Sequence, residues 1–304
     1  MDNKDKELLK QVTGTDEFKG AYNIRKDGKG IERQVTENIN IVTKEDKAGI
    51  DIYVKENTKN EFVHIPVIIT ESGLTDVVYN DFYIGKNAKV YITAGCGIHN
   101  DHHKDSVHNG IHRFFLEEGS YVKYVEKHYG EGDGNGQKII NPVTEVYLKD
   151  GSTLEMDSVQ IKGVDSTERI TKGELEADTN LVISEKIMTH GTQFAKTVFD
   201  VNLNGENSST HVTSRSVAVD DSKQSFISKV YGNSKCFAHV ECDAIIKDNA
   251  CVQATPEVTA NNVNANLVHE AAIGKIAGEQ LIKLMTLGLT EKEAEDEIIR
   301  GFLK

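Results

Sequence analysis

One small corner recurs along the middle of this chain and limits what the chain can fold into. A polar or glycine-containing pair leads to a small residue, and an apolar strand then restarts. The corners are Gly85-Lys86-Asn87-Ala88, Glu118-Gly119-Ser120, Asp150-Gly151-Ser152, Ala177-Asp178-Thr179, Glu206-Asn207-Ser208, Gly232-Asn233-Ser234 and Asp248-Asn249-Ala250. Most are followed at nearly the same offset by an apolar residue, among them Val90, Val122, Leu154, Leu181 and Val252. Strand, corner and strand with no helix between them is the pattern of a β-solenoid, in which each unit covers the apolar face of the one before. A sandwich or jelly roll gives no reason for every corner to repeat the same chemistry. The chain therefore predicts an all-β core of the β-helix type.

The segments around that core follow from period and punctuation. Residues 4–13 place Leu8, Leu9 and Val12 on one helical face, with Gly14 as the stop. Residues 18–34 are polar and broken by glycines, and read as an irregular lead-in. From about Asn38 the period becomes that of strands, in INIVTK, GIDIYVK, FVHIPVIIT and VVYNDFYIG. Two stretches, 94–112 and 128–142, read as insertions between repeats. In the tail, apolar residues at helical spacing predict a helix from about His269 to Leu287, ended by Gly288. A second helix opens with a Thr290/Glu293 capping box and ends near Gly301. The expected division is an N-terminal helix and lead-in (1–37), a β-helix core (38–268) and a helical C-terminal part (269–304).

Charge and composition exclude several roles. A net charge of −13 leaves no basic footprint for nucleic acid. No apolar run approaches the length that spans a bilayer. The start, MDNKDKELLK, lacks the apolar centre of a signal peptide, so the expected location is the cytoplasm. There, four cysteines are better read as thiols or metal ligands than as a disulfide framework.

Two groups of residues carry candidate chemistry. The first is Cys242, His269 and Glu270: a thiolate from a strand, with imidazole and carboxylate at the mouth of the tail. Soft sulfur beside nitrogen and oxygen donors suits iron or zinc in an incomplete, exchangeable shell. The competing reading is a small buried thiol and a glutamate favoured by a helix start. The second group is Cys96, His99, His102, His103, His108 and His112, a dense tract of metal-ligand residue types whose spacing matches no closed zinc site. Its competing reading is a solvated polar loop. The Gly-rich run GEGDGNG lacks the lysine and hydroxyl residue of a phosphate loop, and no G-x-S-x-G elbow is present.

The tail VHEAAIGKIAGEQLIKLMTLGLTEKEAEDEIIRGF, preceded by ECDAIIKDNACVQATPEV, resembles the SufB/SufD family of the SUF iron–sulfur cluster assembly system. VDSTERI and the repeated strand-corner units fit as well, so the resemblance covers nearly the whole chain. It implies a right-handed parallel β-helix with C-terminal helices that dock a SufC-type ABC ATPase. It implies cluster ligands at Cys242 and Glu270, which match the SufB positions, and at His269, which matches the SufD one. One chain carrying both sets implies a homodimer, with sulfur delivered by a donor protein. The chain lacks the long N-terminal helical region of larger members, and its Gly-Cys-Gly-Ile-His element resembles that of short ones. The expected role is a scaffold with no reaction of its own, the ATPase activity belonging to the partner. The alternatives are a His-rich metal-binding or storage protein and a β-helix carbohydrate-active enzyme.

Overall fold

Successive strands go alternately to two sheets, and this alternation makes the fold. The computed structural model describes residues 1–15 and 17–304. Helix α1 (Asn3–Thr13) is followed by β1 (Ala21–Lys26), β2 (Lys29–Gln34), β3 (Ile39–Thr43) and β4 (Gly49–Val54). The long strands then begin with β5 (Lys59–Ile69), β6 (Thr75–Ile84), β7 (Lys89–His99), β8 (Ser106–Leu116) and β9 (Tyr121–Glu131). They continue with the split pair β10 (Lys138–Ile140) and β11 (Val143–Leu148), then β12 (Thr153–Lys162), β13 (Ser166–Leu175) and β14 (Asn180–Thr189). The last are β15 (Phe194–Leu203), β16 (Ser209–Ala218), β17 (Lys223–Gly232), β18 (Phe237–Ile246), β19 (Cys251–Ala260) and β20 (Asn266–Gly274). Helices α2 (Gly278–Thr286) and α3 (Glu291–Phe302) close the chain.

The first sheet runs β2-β1-β5-β7-β9-β12-β14-β16-β18-β20, and the second runs β19-β17-β15-β13-β10-β8-β6-β4-β3 with β11 continuing β10. From β5 onward every pairing is parallel, so the chain is a parallel β-solenoid with two strands per turn, as the recurrent corner predicts. Inward side chains stack in columns. Val90, Val122, Leu154 and Leu181 face one another in register, continuing through Thr210 and Ala238 to Leu267. All but Leu267 are buried. Each fully buried aliphatic side chain contributes about 1.5–3 kcal/mol relative to exposure, so the stacked columns are the main source of stability.

The corners repeat because one residue in each must turn left-handed. Asn87, Asp178 and Asn207 have φ of 55°, 55° and 58°, Asp248 has 59°, and glycine takes that place at Gly119 and Gly151. Only glycine, asparagine and aspartate enter this region at little cost. The small residue that follows serves the backbone. Ser120, Thr179 and Ser208 donate to the carbonyls of Glu117, Glu176 and Gly205 at 2.6, 2.7 and 2.7 Å. The corner at Gly232–Ser234 is built without a left-handed residue.

Three expectations are corrected. Residues 18–34 are not irregular: β1 and β2 form an antiparallel hairpin turned by Asp27 and Gly28, both with φ above zero, as a two-residue hairpin turn requires. The stretches 94–112 and 128–142 are not insertions but mostly rungs of the solenoid, lying in β7, β8, β9 and β10. The tail helix does not begin at His269, because β20 continues pairing with β18 as far as Gly274. A strand partner offering a full row of backbone groups outweighs the helical spacing of the apolar residues.

Helix α1 covers the outer face of the first sheet near its N-terminal end. Leu8 and Val12 lie against Gly95 and Gly97, where an added Cβ would approach within 2.8 Å of either side chain. At the other end Ile282 and Met285 of α2 and Leu287 just after it stay uncovered, Ile282 63% and Leu287 79% exposed. Among the described residues no helix is long and apolar enough to cross a membrane.

Candidate functional site

Strand parity decides where each candidate ligand points. Cys242 faces inward on β18, only 1% exposed, in register with Ser214 on β16 and Ala271 on β20. His269 is in register with Val240, so it shares the inward face of the adjacent rung, diagonal to Cys242. Glu270, the next residue, pairs with Glu241 and faces out, with His239 Nε2 3.6 Å from its Oε2. The chain thus brings Cys242 and His269 to the same interior and sends Glu270 to the opposite face. A helix start at His269 would have placed the three differently; the strand separates them.

Burial shapes both interior groups. It pushes the Cys242 thiol up to about 12, with the charges of Glu185 and Asp243 adding to the effect. His269 Nδ1 lies 3.3 Å from Ser228 Oγ on β17, across the solenoid. Its Nε2 is buried without a hydrogen-bond partner, and desolvation lowers the ring's pKa. Cys236 is also buried, while Cys251 is exposed on the terminal strand β19.

The His-rich tract is divided among three places. His102 and His103 are exposed in the turn between β7 and β8. His99, at the end of β7, is held by Asp101 at 2.7 Å and Glu131 at 3.1 Å. Cys96, His108 and His112 point into the solenoid and are buried. The expectation of one polar loop fails, because the tract is two strands with alternating parity.

Inside, these residues meet partners that sequence spacing does not reveal. Cys96 is in register with His128, and the next column carries Glu126, Ser158, Glu185, Ser214 and Cys242. From the opposite sheet Arg169 on β13 pairs with Glu126, lies 3.4 Å from Glu185 and donates to His128 Nδ1 at 3.1 Å. Tyr124 donates its hydroxyl proton to Glu126 at 3.0 Å and accepts from His112 Nδ1 at 2.7 Å. That proton bookkeeping leaves His112 Nε2 as the acceptor of the Asn80 amide, 3.3 Å away. At the outer end His108 meets Asp76 at 3.2 Å, and Asp76 also binds Arg25.

The ionisation states follow from these contacts. Burial works against the charge of Glu126, but the pull of His128 and of the Arg169 guanidinium outweighs it, holding the carboxyl well below its usual range. Glu185 is raised by burial, only partly relieved by Arg169 and by bonds from Ser214 and Thr197. Desolvation lowers His112 to about 4 and raises Cys96 well above a normal thiol. Cavities of ≈ 10 Å³ beside Cys96, His112 and Glu126, and ≈ 20 Å³ beside Arg169 and Glu185, each leave room on the scale of one water molecule. Among the described residues no three His, Cys, Asp or Glu side chains stand in a metal-coordinating arrangement.

Comparison with known proteins places this geometry. The family model of the SUF system FeS cluster assembly SufBD core domain matches residues 83–302. The chain belongs to the SufBD family. Family members take part in iron–sulfur cluster assembly. An iron–sulfur cluster assembly SufBD family protein of Methanocaldococcus jannaschii is 29% identical over 291 residues, covering 94% of this chain and 90% of its own. One of Pyrococcus horikoshii is 30% identical over 264 residues, covering 83% and 77%. The iron–sulfur cluster assembly protein SufB of Bacillus subtilis is 26% identical over 266 residues, covering 84% of this chain and 52% of the SufB chain.

Proposed function

We propose that this SufBD chain is the scaffold on which an iron–sulfur cluster is built, with Cys242 and His269 as its interior ligands. The observation that carries the reading is their placement: a buried thiol and an imidazole with an unpartnered Nε2, on neighbouring rungs at the uncapped end of the solenoid. A shell of one sulfur and one nitrogen holds a cluster less tightly than four thiolates, which suits cargo that must leave. The raised pKa of Cys242 makes proton loss part of loading.

Glu270, on the outer face, joins the ligand set when a second copy or a shift of the last rung brings it to the cargo. Strands β19 and β20 end their sheets with unpaired edges, which supports a homodimer through that end. The uncovered apolar residues Ile282, Met285 and Leu287 support docking of a SufC-type ABC ATPase on α2. ATP turnover in that partner then supplies the conformational work, and sulfur comes from a donor protein. The scaffold itself catalyses no separate reaction. Metal storage on the His-rich tract gains no comparable support, since that tract is split among three locations.

The test is anaerobic reconstitution with ferrous iron and sulfide, with and without the ATPase. Visible absorption should appear in the wild type and fall severalfold or more in Cys242→Ala and His269→Ala. Equal loading of wild type and both variants would refute the assignment.

A further inference from the structure

The bond between Ser228 and His269 crosses from one sheet to the other, and its surroundings give it a specific consequence. Ser228 is fully buried on β17, in register with Phe199 on one side and Pro256 on the other. Neither neighbour has a polar side-chain atom. His269 is likewise set beside Val240 in its own sheet. Each polar side chain therefore stands among apolar neighbours in its own sheet and finds the other across the interior, with Nδ1 3.3 Å from Oγ. The other ring nitrogen, Nε2, is buried without a partner.

Two proton arrangements satisfy that contact. Either Nδ1–H donates to Ser228 and Nε2 keeps a bare lone pair, or Ser228 donates to Nδ1 and an N–H is stranded at Nε2. The first leaves the Ser228 hydroxyl proton to be placed, but that proton turns freely about the Cβ–Oγ bond, whereas an N–H at Nε2 is fixed in the ring plane and cannot be redirected. We infer that Ser228 is a positioning residue for His269, accepting from Nδ1–H so that Nε2 presents its lone pair to the interior that Cys242 shares. Ligating imidazoles are commonly fixed in this way, by a bond from the ring nitrogen that does not bind the metal. The ligand role of Nε2 rests on the scaffold reading; the tautomer does not.

The experiment separates the two. Long-range ¹H–¹⁵N spectra of the full, metal-free chain report the tautomer of each histidine, and His269→Gln identifies the His269 signals. The wild type should show the Nδ1–H form. Ser228→Ala should lose it in favour of the Nε2–H form or a mixture, and Ser228→Thr, which keeps the hydroxyl, should restore it. An Nε2–H tautomer in the wild type overturns the inference without any variant, and so does an unchanged tautomer in Ser228→Ala. A role in packing alone would leave the tautomer where it is. Ferrous iron titrated alone should then bind about tenfold more weakly to Ser228→Ala. Cluster loading of His269→Ala judges the scaffold reading separately, since it can fail while the tautomer result stands.

Discussion

Cys242 and Glu185 occupy one inward-facing column of the first sheet with only Ser214 between them. Glu185 accepts from Ser214 at 2.9 Å, so the end of the buried ionic network lies two rungs from the candidate thiol, with Ser214 on the rung between. The carboxylate charge and the apolar surroundings act in the same direction, holding Cys242 as a neutral thiol at physiological pH.

Thiol reactivity should follow that ordering. Cys251 is exposed and Cys242 is buried with its pKa near 12, so iodoacetamide at pH 8 should label Cys251 first. Cys242 should lag by at least about a thousandfold, because the thiolate is the nucleophile and roughly three pKa units separate it from an ordinary thiol. Peptide mass spectrometry over a time course reads this directly. Comparable rates at the two cysteines would mean that the interior opens far more often than its packing implies.

Arg169 is the single cation between two buried carboxylates. Arg169→Met leaves Glu126 and Glu185 facing each other without compensation and should cost about 3–5 kcal/mol. The triple variant Arg169→Met/Glu126→Gln/Glu185→Gln, which removes the charges together, should recover most of that loss. Urea denaturation followed by circular dichroism measures both. A triple variant as unstable as the single one would show that packing, not charge, sets the cost.

Acid should destabilise the fold before the carboxylates titrate. His112 has its pKa lowered from 6.5 to about 4, and His128 is lowered by the same burial. Between those values the unfolded chain binds protons that the folded chain refuses, so stability falls as pH falls through about 6.5. For His112 the loss is on the order of 1 kcal/mol between about pH 7.5 and 5.5. Glu126, held well below its usual range, extends the loss below about pH 4.5 by the same rule. Thermal unfolding across this range should show a slope that flattens in His112→Gln.

The seat of α1 depends on Gly95 and Gly97 having no side chain. In Gly97→Ala the new Cβ lies within 2.8 Å of Leu8 and 2.9 Å of Val12, so α1 must lift or shift at a cost of about 1–3 kcal/mol. Hydrogen exchange should rise in residues 3–13 and stay low in β12–β18. Uniform exchange throughout the chain would show instead that α1 and the solenoid unfold as one.

The solenoid is legible because its corners are local: a left-handed residue and a small hydroxyl residue leave the same mark wherever the chain turns. Asp27-Gly28 carries the hairpin equally openly, yet polarity and glycine content alone read it as irregular. Cys242 and His269 are legible as residue types. Their separation from Glu270 depends on whether β20 ends before or after His269, which is settled by pairing with β18 and not by any local preference. Glu126, His128, Arg169 and Glu185 leave no signal of their own. Each is an ordinary charged or polar residue in an alternating strand, and only the knowledge that its parity points inward marks it. A charged residue at an inward position of an otherwise apolar column is the pattern that finds them.

The two edges of the first sheet differ in charge. At one end the edge is β2, antiparallel to β1 and carrying Lys29, Glu32 and Arg33, the kind of edge that resists further pairing. At the other, β20 offers an edge whose only acidic side chain is Glu270, with no lysine or arginine. In the homodimer proposed above, contact through β19 and β20 closes on itself as an isologous pair and stops at two.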